Sequence, residues 1–250
     1  MHTNHRLSPP FWRHDAYTLR RLVNVVASTA DDVVAIAAPK ATVREFHVVD
    51  LGAGDSPYRS IFEKKGVRYT PCDIDVPSGG DTVRIEPGQP IPLPDECAQA
   101  VTSFQVLEHV WDLDWYLGEA SRLMASDGKL ILSTHGTWLY HPHPTDYRRW
   151  TRDGLVSEIE SRGFIVCSIT PIVGPLAWTT QFRTLGYHAI LGKLPLLGAI
   201  ISSLVCSAMY LRMKLEDSVT PATWIQQNAA VYLIVAEKSS MSAKPKEHSL

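Results

Sequence analysis

Residues 135–151 read His135-Gly136-Thr137-Trp138-Leu139-Tyr140-His141-Pro142-His143-Pro144-Thr145-Asp146-Tyr147-Arg148-Arg149-Trp150-Thr151, a loop dense in imidazole, aromatic and charged groups. Imidazole ordinarily titrates near neutrality, so a histidine here suits removal of a proton from a bound hydroxyl. His141 is the first choice for that base, with His135 and His143 behind it and Asp146 orienting the ring or sharing the proton. His141, His143 and Asp146 are also metal-ligand types at close spacing, but Pro142 and Pro144 restrict the loop, and no metal is expected. Arg148 and Arg149 suit a carboxylate or phosphate on a substrate, or alternatively a surface role beside the helix that follows.

A second chemical group is Val48-Val49-Asp50-Leu51-Gly52-Ala53-Gly54-Asp55. Gly52 and Gly54 remove side chains where backbone must approach a ligand at the end of a strand. Asp73 and Asp75 end the next strand, where a carboxylate accepts hydrogen bonds from both ribose hydroxyls, and Asp73 fits that position better. A dinucleotide fingerprint wants a third glycine, and Pro57 stands in its place. Asp50 and Asp55 would also repel a pyrophosphate, whereas the sulfonium and ammonium of S-adenosylmethionine are positive. Nicotinamide dinucleotides are therefore disfavoured and the methyl donor favoured.

The elements that must position these groups follow from hydrophobic period. Apolar residues at helical spacing (Leu19, Leu22, Val23, Val26, Ala30) predict one or two helices over Asp15 to Ala38, ended by Pro39. Phe46 to Leu51 reads as a buried parallel strand. Ser56-Pro57 reads as the cap and first residue of a helix closed by Gly66. Strands are expected at Val67 to Asp73, Ala98 to Phe104, Lys129 to Thr134 after an Asp127-Gly128 turn, Phe164 to Ile169 and Ala229 to Ala236. Leu113, Tyr116, Leu117, Ala120, Leu123 and Met124 form one apolar helical face with Asp112 near its start, and Thr151 caps a helix carrying Leu155, Val156 and Ile159. Strands alternating with helices imply right-handed crossovers and a mostly parallel α/β sheet. The expected domains are a helical cap over 1–45, an α/β domain over 46–238 with an apolar helical insertion at 175–215, and a disordered tail at 239–250.

The chain has 250 residues, 45% of them hydrophobic, enough for one sizeable core. A formal net charge of -2 leaves no general basic field, so nucleic acid is not an expected partner. Four scattered cysteines form no CxxC pair, and Met1 to Pro10 carries no apolar export signal; both favour a cytoplasmic protein. Leu194 to Leu211 is almost uninterrupted apolar sequence between Lys193 and Arg212. Pro195, Gly198 and several serines argue against a bilayer span. A cover over the acceptor pocket, a homodimer contact and peripheral membrane association are the roles left to it.

The stretch Ile91-Pro92-Leu93-Pro94-Asp95, followed by Ser103-Phe104-Gln105-Val106-Leu107-Glu108-His109-Val110, resembles the signature of class I S-adenosylmethionine-dependent methyltransferases. The resemblance runs from about Val48 to Gly163 and includes the final strand. It implies a Rossmann-like fold with a seven-stranded sheet and helices on both faces. It also implies that Asp50, Gly52 and Gly54 line the methionine and ribose part, Asp73 holds the ribose, and Phe104 and Gln105 flank the donor. Ile74 and His109 join that set. Glu86, rather than Asp81, is preferred for the adenine side. Glu108 and His109 read as a polar pair bonding loop backbone beside the cofactor. Gln99 departs from the aspartate common there, a position usually structural. Some methyltransferases of surface-polysaccharide and natural-product clusters are similar in the loop after residue 134. The implied reaction is methyl transfer to a small-molecule or glycan acceptor, on oxygen by preference; N- or C-methylation and a non-catalytic binding role are the alternatives.

Overall fold

A computed structural model describes residues 6–37, 45–77, 80–195 and 197–239. The helix stop expected at Pro39 and the tail expected beyond Ser239 lie outside the described residues. The sheet has seven strands: β1 (His47–Leu51), β2 (Arg68–Asp73), β3 (Val83–Arg84), β4 (Ala98–Phe104), β5 (Met124–His135), β6 (Phe164–Ile172) and β7 (Val231–Lys238). Their spatial order is β3-β2-β1-β4-β5-β7-β6, parallel except for β7, which runs antiparallel to both neighbours. The order reverses direction between β1 and β4, and ligands of open α/β sheets gather outside the carboxyl ends of strands at such a point.

Among the described residues the α-helices are α1 (Ala16–Ala37), α2 (Arg59–Glu63), α3 (Leu113–Leu123), α4 (Arg152–Glu160), α5 (Pro175–Leu191), α6 (Gly198–Val219) and α7 (Ala222–Gln227). Alternation along the strands sends neighbours to opposite faces. Leu130 and Leu132 join Leu117, Leu123, Leu155 and Ile159 of α3 and α4 in one core. Ile131, between them in sequence, joins Leu22, Val26 and Ala30 of α1 with Phe62, Ala177 and Met213 in the other. Both faces of the sheet are thus covered, which is why its strands read as continuous apolar runs.

Several boundaries differ from the sequence expectation. Met124 is not the end of the α3 face; it opens β5 opposite Ala98. Ser56 does not cap α2: it has φ +51°, and Tyr58 occupies the N-cap without a side-chain bond. The two-residue β3 carries too little sequence to show a period. Asp112 and Thr151 do cap, accepting from the backbone N–H of Trp115 at 3.0 Å and of Gly154 at 3.1 Å. Gln99, the departure from the family pattern, accepts the His47 N–H at 2.9 Å and ties β4 to β1.

Candidate donor and acceptor site

The first half of the site is the turn after β1. Gly52 has φ +75° and Gly54 φ +53°, and a Cβ on Gly52 would sit 2.5 Å from a Val106 methyl. Backbone therefore passes where no side chain fits, leaving a cradle at the strand ends. The Gly52 and Ala53 N–H groups donate to the Cys72 carbonyl at 2.8 and 3.0 Å, fixing the turn to β2. Asp73 is buried at the end of β2; one carboxylate oxygen accepts from Gly54 N at 2.7 Å and the other from Asp75 N at 2.9 Å. Each oxygen keeps a second lone pair, which matches a pair of ribose hydroxyls. Asp75 itself is exposed.

Asp50 lies beneath this turn, 2% exposed, accepting from Thr102 Oγ1 at 2.7 Å and from the Tyr69 hydroxyl. Burial pushes its carboxyl up to about 6 against the pull of those two hydrogen bonds. Ile74, 39% exposed, presents an apolar side chain at the β2 end. Asp81 is engaged by Arg59 through two bonds of 2.8 and 2.7 Å, so of the two adenine-side acids Glu86, exposed after β3, is the one without that clamp. Phe104 ends β4 against Tyr58, ring centroids 4.7 Å apart. Gln105 follows at φ +59°, its amide donating to Ser133 Oγ at 3.0 Å. The signature Ile91 to Asp95 acts as scaffold: Arg122 of α3 reaches the Ile91 and Leu93 carbonyls and Asp95 at 2.6–3.0 Å.

The donor set fits S-adenosylmethionine. Asp50, Asp55, Asp73 and Asp75 surround the turn with negative charge, favourable to a sulfonium and an ammonium. When bound, that cofactor supplies an electrophilic methyl carbon on a sulfonium.

The second half lies at the ends of β4 and β5. Glu108, fully buried in a short 3-10 turn (Leu107–His109), accepts from Thr134 Oγ1 at 2.7 Å. Its other oxygen lies 2.8 Å from His135 Nδ1, a charge contact at hydrogen-bond distance whose N–H direction is not aligned. Neither atom has a different hydrogen-bond partner. Burial would raise the Glu108 pKa, but His135 outweighs it and holds the group below its ordinary value. The His135 ring stacks on Trp138 at 4.8 Å, and Trp138 stacks on Trp178 of α5 at 4.6 Å. Across β4 and β5 the carboxylate that orients an imidazole is thus Glu108. Sequence reading gave that part to Asp146 and treated Glu108 with His109 as a backbone-bonding pair. The pairing rests on the adjacency of β4 and β5, which the assembled sheet displays: it places Glu108, four residues past β4, beside His135, the last residue of β5.

Asp146 has a different task. It accepts the His141 backbone N–H at 2.7 Å and grips Arg149 at 2.5 and 2.7 Å, and Arg149 holds its carboxyl down to about 2. It therefore folds the loop and does not touch the His141 ring through any hydrogen bond found. Arg149 also donates to the Leu139 carbonyl at 2.6 Å, and Arg148 to the Val110 carbonyl and, at 2.9 Å, to that of Trp111. Both arginines, expected to meet an anionic substrate or the adjoining surface, are spent on loop carbonyls. His109 Nδ1 bonds the Thr145 carbonyl at 2.6 Å, so it anchors the same loop.

The loop so folded brings imidazoles together. The His141 ring lies 5.7 Å from His109, 6.2 Å from His135 and 5.1 Å from His143, centroid to centroid. Burial of the ring, then the neighbouring histidines, lower the His141 pKa below the ordinary imidazole value. Among the described residues no group of three His, Cys, Asp or Glu side chains is arranged to hold a metal ion. What the arrangement offers is an exposed imidazole held toward its neutral form by burial of the ring and by its neighbouring histidines.

Comparison with known proteins agrees with this geometry. A family model described as a methyltransferase domain matches residues 11–170. A Mycobacterium tuberculosis protein described as a probable S-adenosylmethionine-dependent methyltransferase is 32% identical over 81 residues, 30% of this chain and 30% of its own length. A Mycolicibacterium smegmatis protein of the same description is 30% identical over 82 residues, 30% of this chain and 32% of its own. The match thus spans about a third of those relatives. Two solved structures share the fold: a candidate sarcosine dimethylglycine methyltransferase from Galdieria sulphuraria (TM-score 0.54, 12% identity, 88% of each chain) and a SAM-dependent methyltransferase from Archaeoglobus fulgidus (TM-score 0.50, 15% identity, 90% of this chain and 97% of that one). The chain belongs to the class I S-adenosylmethionine-dependent methyltransferases.

Proposed function

We propose that the protein transfers a methyl group from S-adenosylmethionine to a hydroxyl of a small-molecule or glycan acceptor held against the 135–151 loop. The observation that carries this reading is the convergence of His141 with His109 and His135 at the ends of β4 and β5. An acceptor that must lose a proton needs a neutral base, and the lowered pKa keeps His141 neutral. S-adenosylmethionine, when bound, would supply the methyl carbon to the acceptor oxygen and leave as S-adenosylhomocysteine, and His141 would take the hydroxyl proton. Asp73 would hold the ribose, Ile74 and Glu86 the adenine side, and Phe104 and Gln105 the reacting end. Glu108 fixes His135 as one wall of the acceptor site, and Asp146 with Arg149 holds the loop that carries His141.

The test is turnover in a panel of sugars and hydroxylated metabolites, wild type against His141→Ala. Loss of about 100-fold or more in kcat, with S-adenosylhomocysteine affinity unchanged by calorimetry, is the expected result. Because the neutral ring is the active form, wild-type turnover should fall on the acid side only below the ordinary imidazole range. Equal turnover in the variant would remove the base assignment.

A further inference from the structure

Helix α6 turns an unbroken apolar stripe to solvent. At about 100° per residue, Leu197, Ile201, Leu204, Ala208, Leu211, Leu215 and Val219 fall on one arc of about 80° along the whole helix. Six of the seven are large, and five of those are more than 60% exposed. Trp12, 49% exposed, lines a cleft with Ile200 and Leu204 at the edge of this stripe. On α5, Phe182 and Ile190 are exposed as well. A contiguous apolar surface of this length is a contact surface.

Charge decides what it contacts. From residue 175 to residue 215 the chain has no Asp or Glu, while Arg183, Lys193, Arg212 and Lys214 are all exposed. The first acid beyond, Glu216, is bound by Arg212 at 2.7 Å. A second copy seated on this face would bring its exposed cations toward those of the first, with no acid on the hairpin between residues 175 and 215 to answer them. A second copy of this chain is therefore opposed by the charges that favour an anionic surface. Length and composition would allow α6 to cross a membrane, yet its inner face is fixed to the protein. Ser202 bonds His188 at 2.9 Å, Cys206 and Met213 are buried, and Asp217 bonds Tyr17 at 2.7 Å and Gly174 N at 2.9 Å.

We infer that the α5–α6 hairpin docks the protein peripherally on an anionic lipid bilayer, with the Leu197 to Val219 stripe in the interface and Arg183, Lys193 and Lys214 against lipid headgroups. This goes beyond the methyl-transfer reading and does not depend on it. The test is co-sedimentation of the full chain with phosphatidylcholine vesicles, with and without phosphatidylglycerol. It is run on the wild type and on the double variant Leu204→Glu, Leu211→Glu, whose side chains leave the core untouched. The wild type should pellet with the anionic vesicles only and be released by salt. The variant should partition at least about tenfold less while titrating S-adenosylhomocysteine as before. Wild-type protein left in the supernatant, equal binding to neutral vesicles, or equal binding by the variant would each overturn the inference. So would a wild-type dimer in sedimentation velocity that the variant dissociates without any vesicle binding. Should the variant not fold, the wild-type comparison of the two vesicles decides alone.

Discussion

At the scale of single residues, Gly52 is the most constrained position in the donor half. Ala there adds a Cβ at φ +75° and drives it into Val106. Gly52→Ala should cost about 2 kcal/mol or more by thermal or denaturant unfolding and abolish S-adenosylhomocysteine binding. Val106→Ala on top should recover only the steric part. Asp50 gives a pH test. Burial raises its pKa to about 6, so it gains negative charge as pH rises through that value. By linkage, stability contributed by the protonated form is full below the ordinary carboxylate range and declines as pH climbs toward about 6. Cationic S-adenosylmethionine should gain affinity over uncharged-sulfur S-adenosylhomocysteine by roughly threefold to tenfold between about pH 5 and about pH 7.5, read by calorimetry with both ligands. A constant ratio would place Asp50 too far from the sulfonium to matter. The tight glycine turn and the strand-end Asp73 were legible because positive-φ glycines after a buried strand have few other uses. The Glu108–His135 contact was not, because it joins two strands whose adjacency only the assembled sheet displays.

At the scale of elements, long buried strands were easy to place and short or capped ones were not. β1 and β4 show buried, largely apolar runs that end at the glycine turn and the Phe104–Gln105 segment, whereas β3 has two residues and no pattern. The N-terminus of α2 misled because Ser56-Pro57 has a helix-cap composition while the turn requires Ser56 in the left-handed region. Asp217 went unremarked in sequence, yet it joins three helices, taking the Tyr17 hydroxyl of α1 and the Gly174 N–H that opens α5. Asp217→Ala should strand both donors and lower stability by about 2–3 kcal/mol, measured by denaturant midpoint at unchanged m-value. Asp217→Asn, which keeps one acceptor, should recover part of that loss.

At the scale of the molecule, the parallel strands β1, β2 and β4 carry the glycine turn and Asp73 at their ends, and β7 and β6 extend the sheet beyond β5, with one helical layer packed across strands of both parts. The turn after β5 lies between the two, and Trp138 in it is stacked on both sides, against His135 and against Trp178. An acceptor that reaches His135 must part that stack or slide along its edge. Stacked indoles emit differently from separated ones, so on the proposed acceptor site this stack would serve as an optical reporter of acceptor entry. Unlabelled compounds added to the S-adenosylhomocysteine-loaded protein should shift its intrinsic fluorescence when they bind, and Trp138→Phe should silence the shift. Substrate discovery then requires neither a radiolabel nor turnover, only a spectrum.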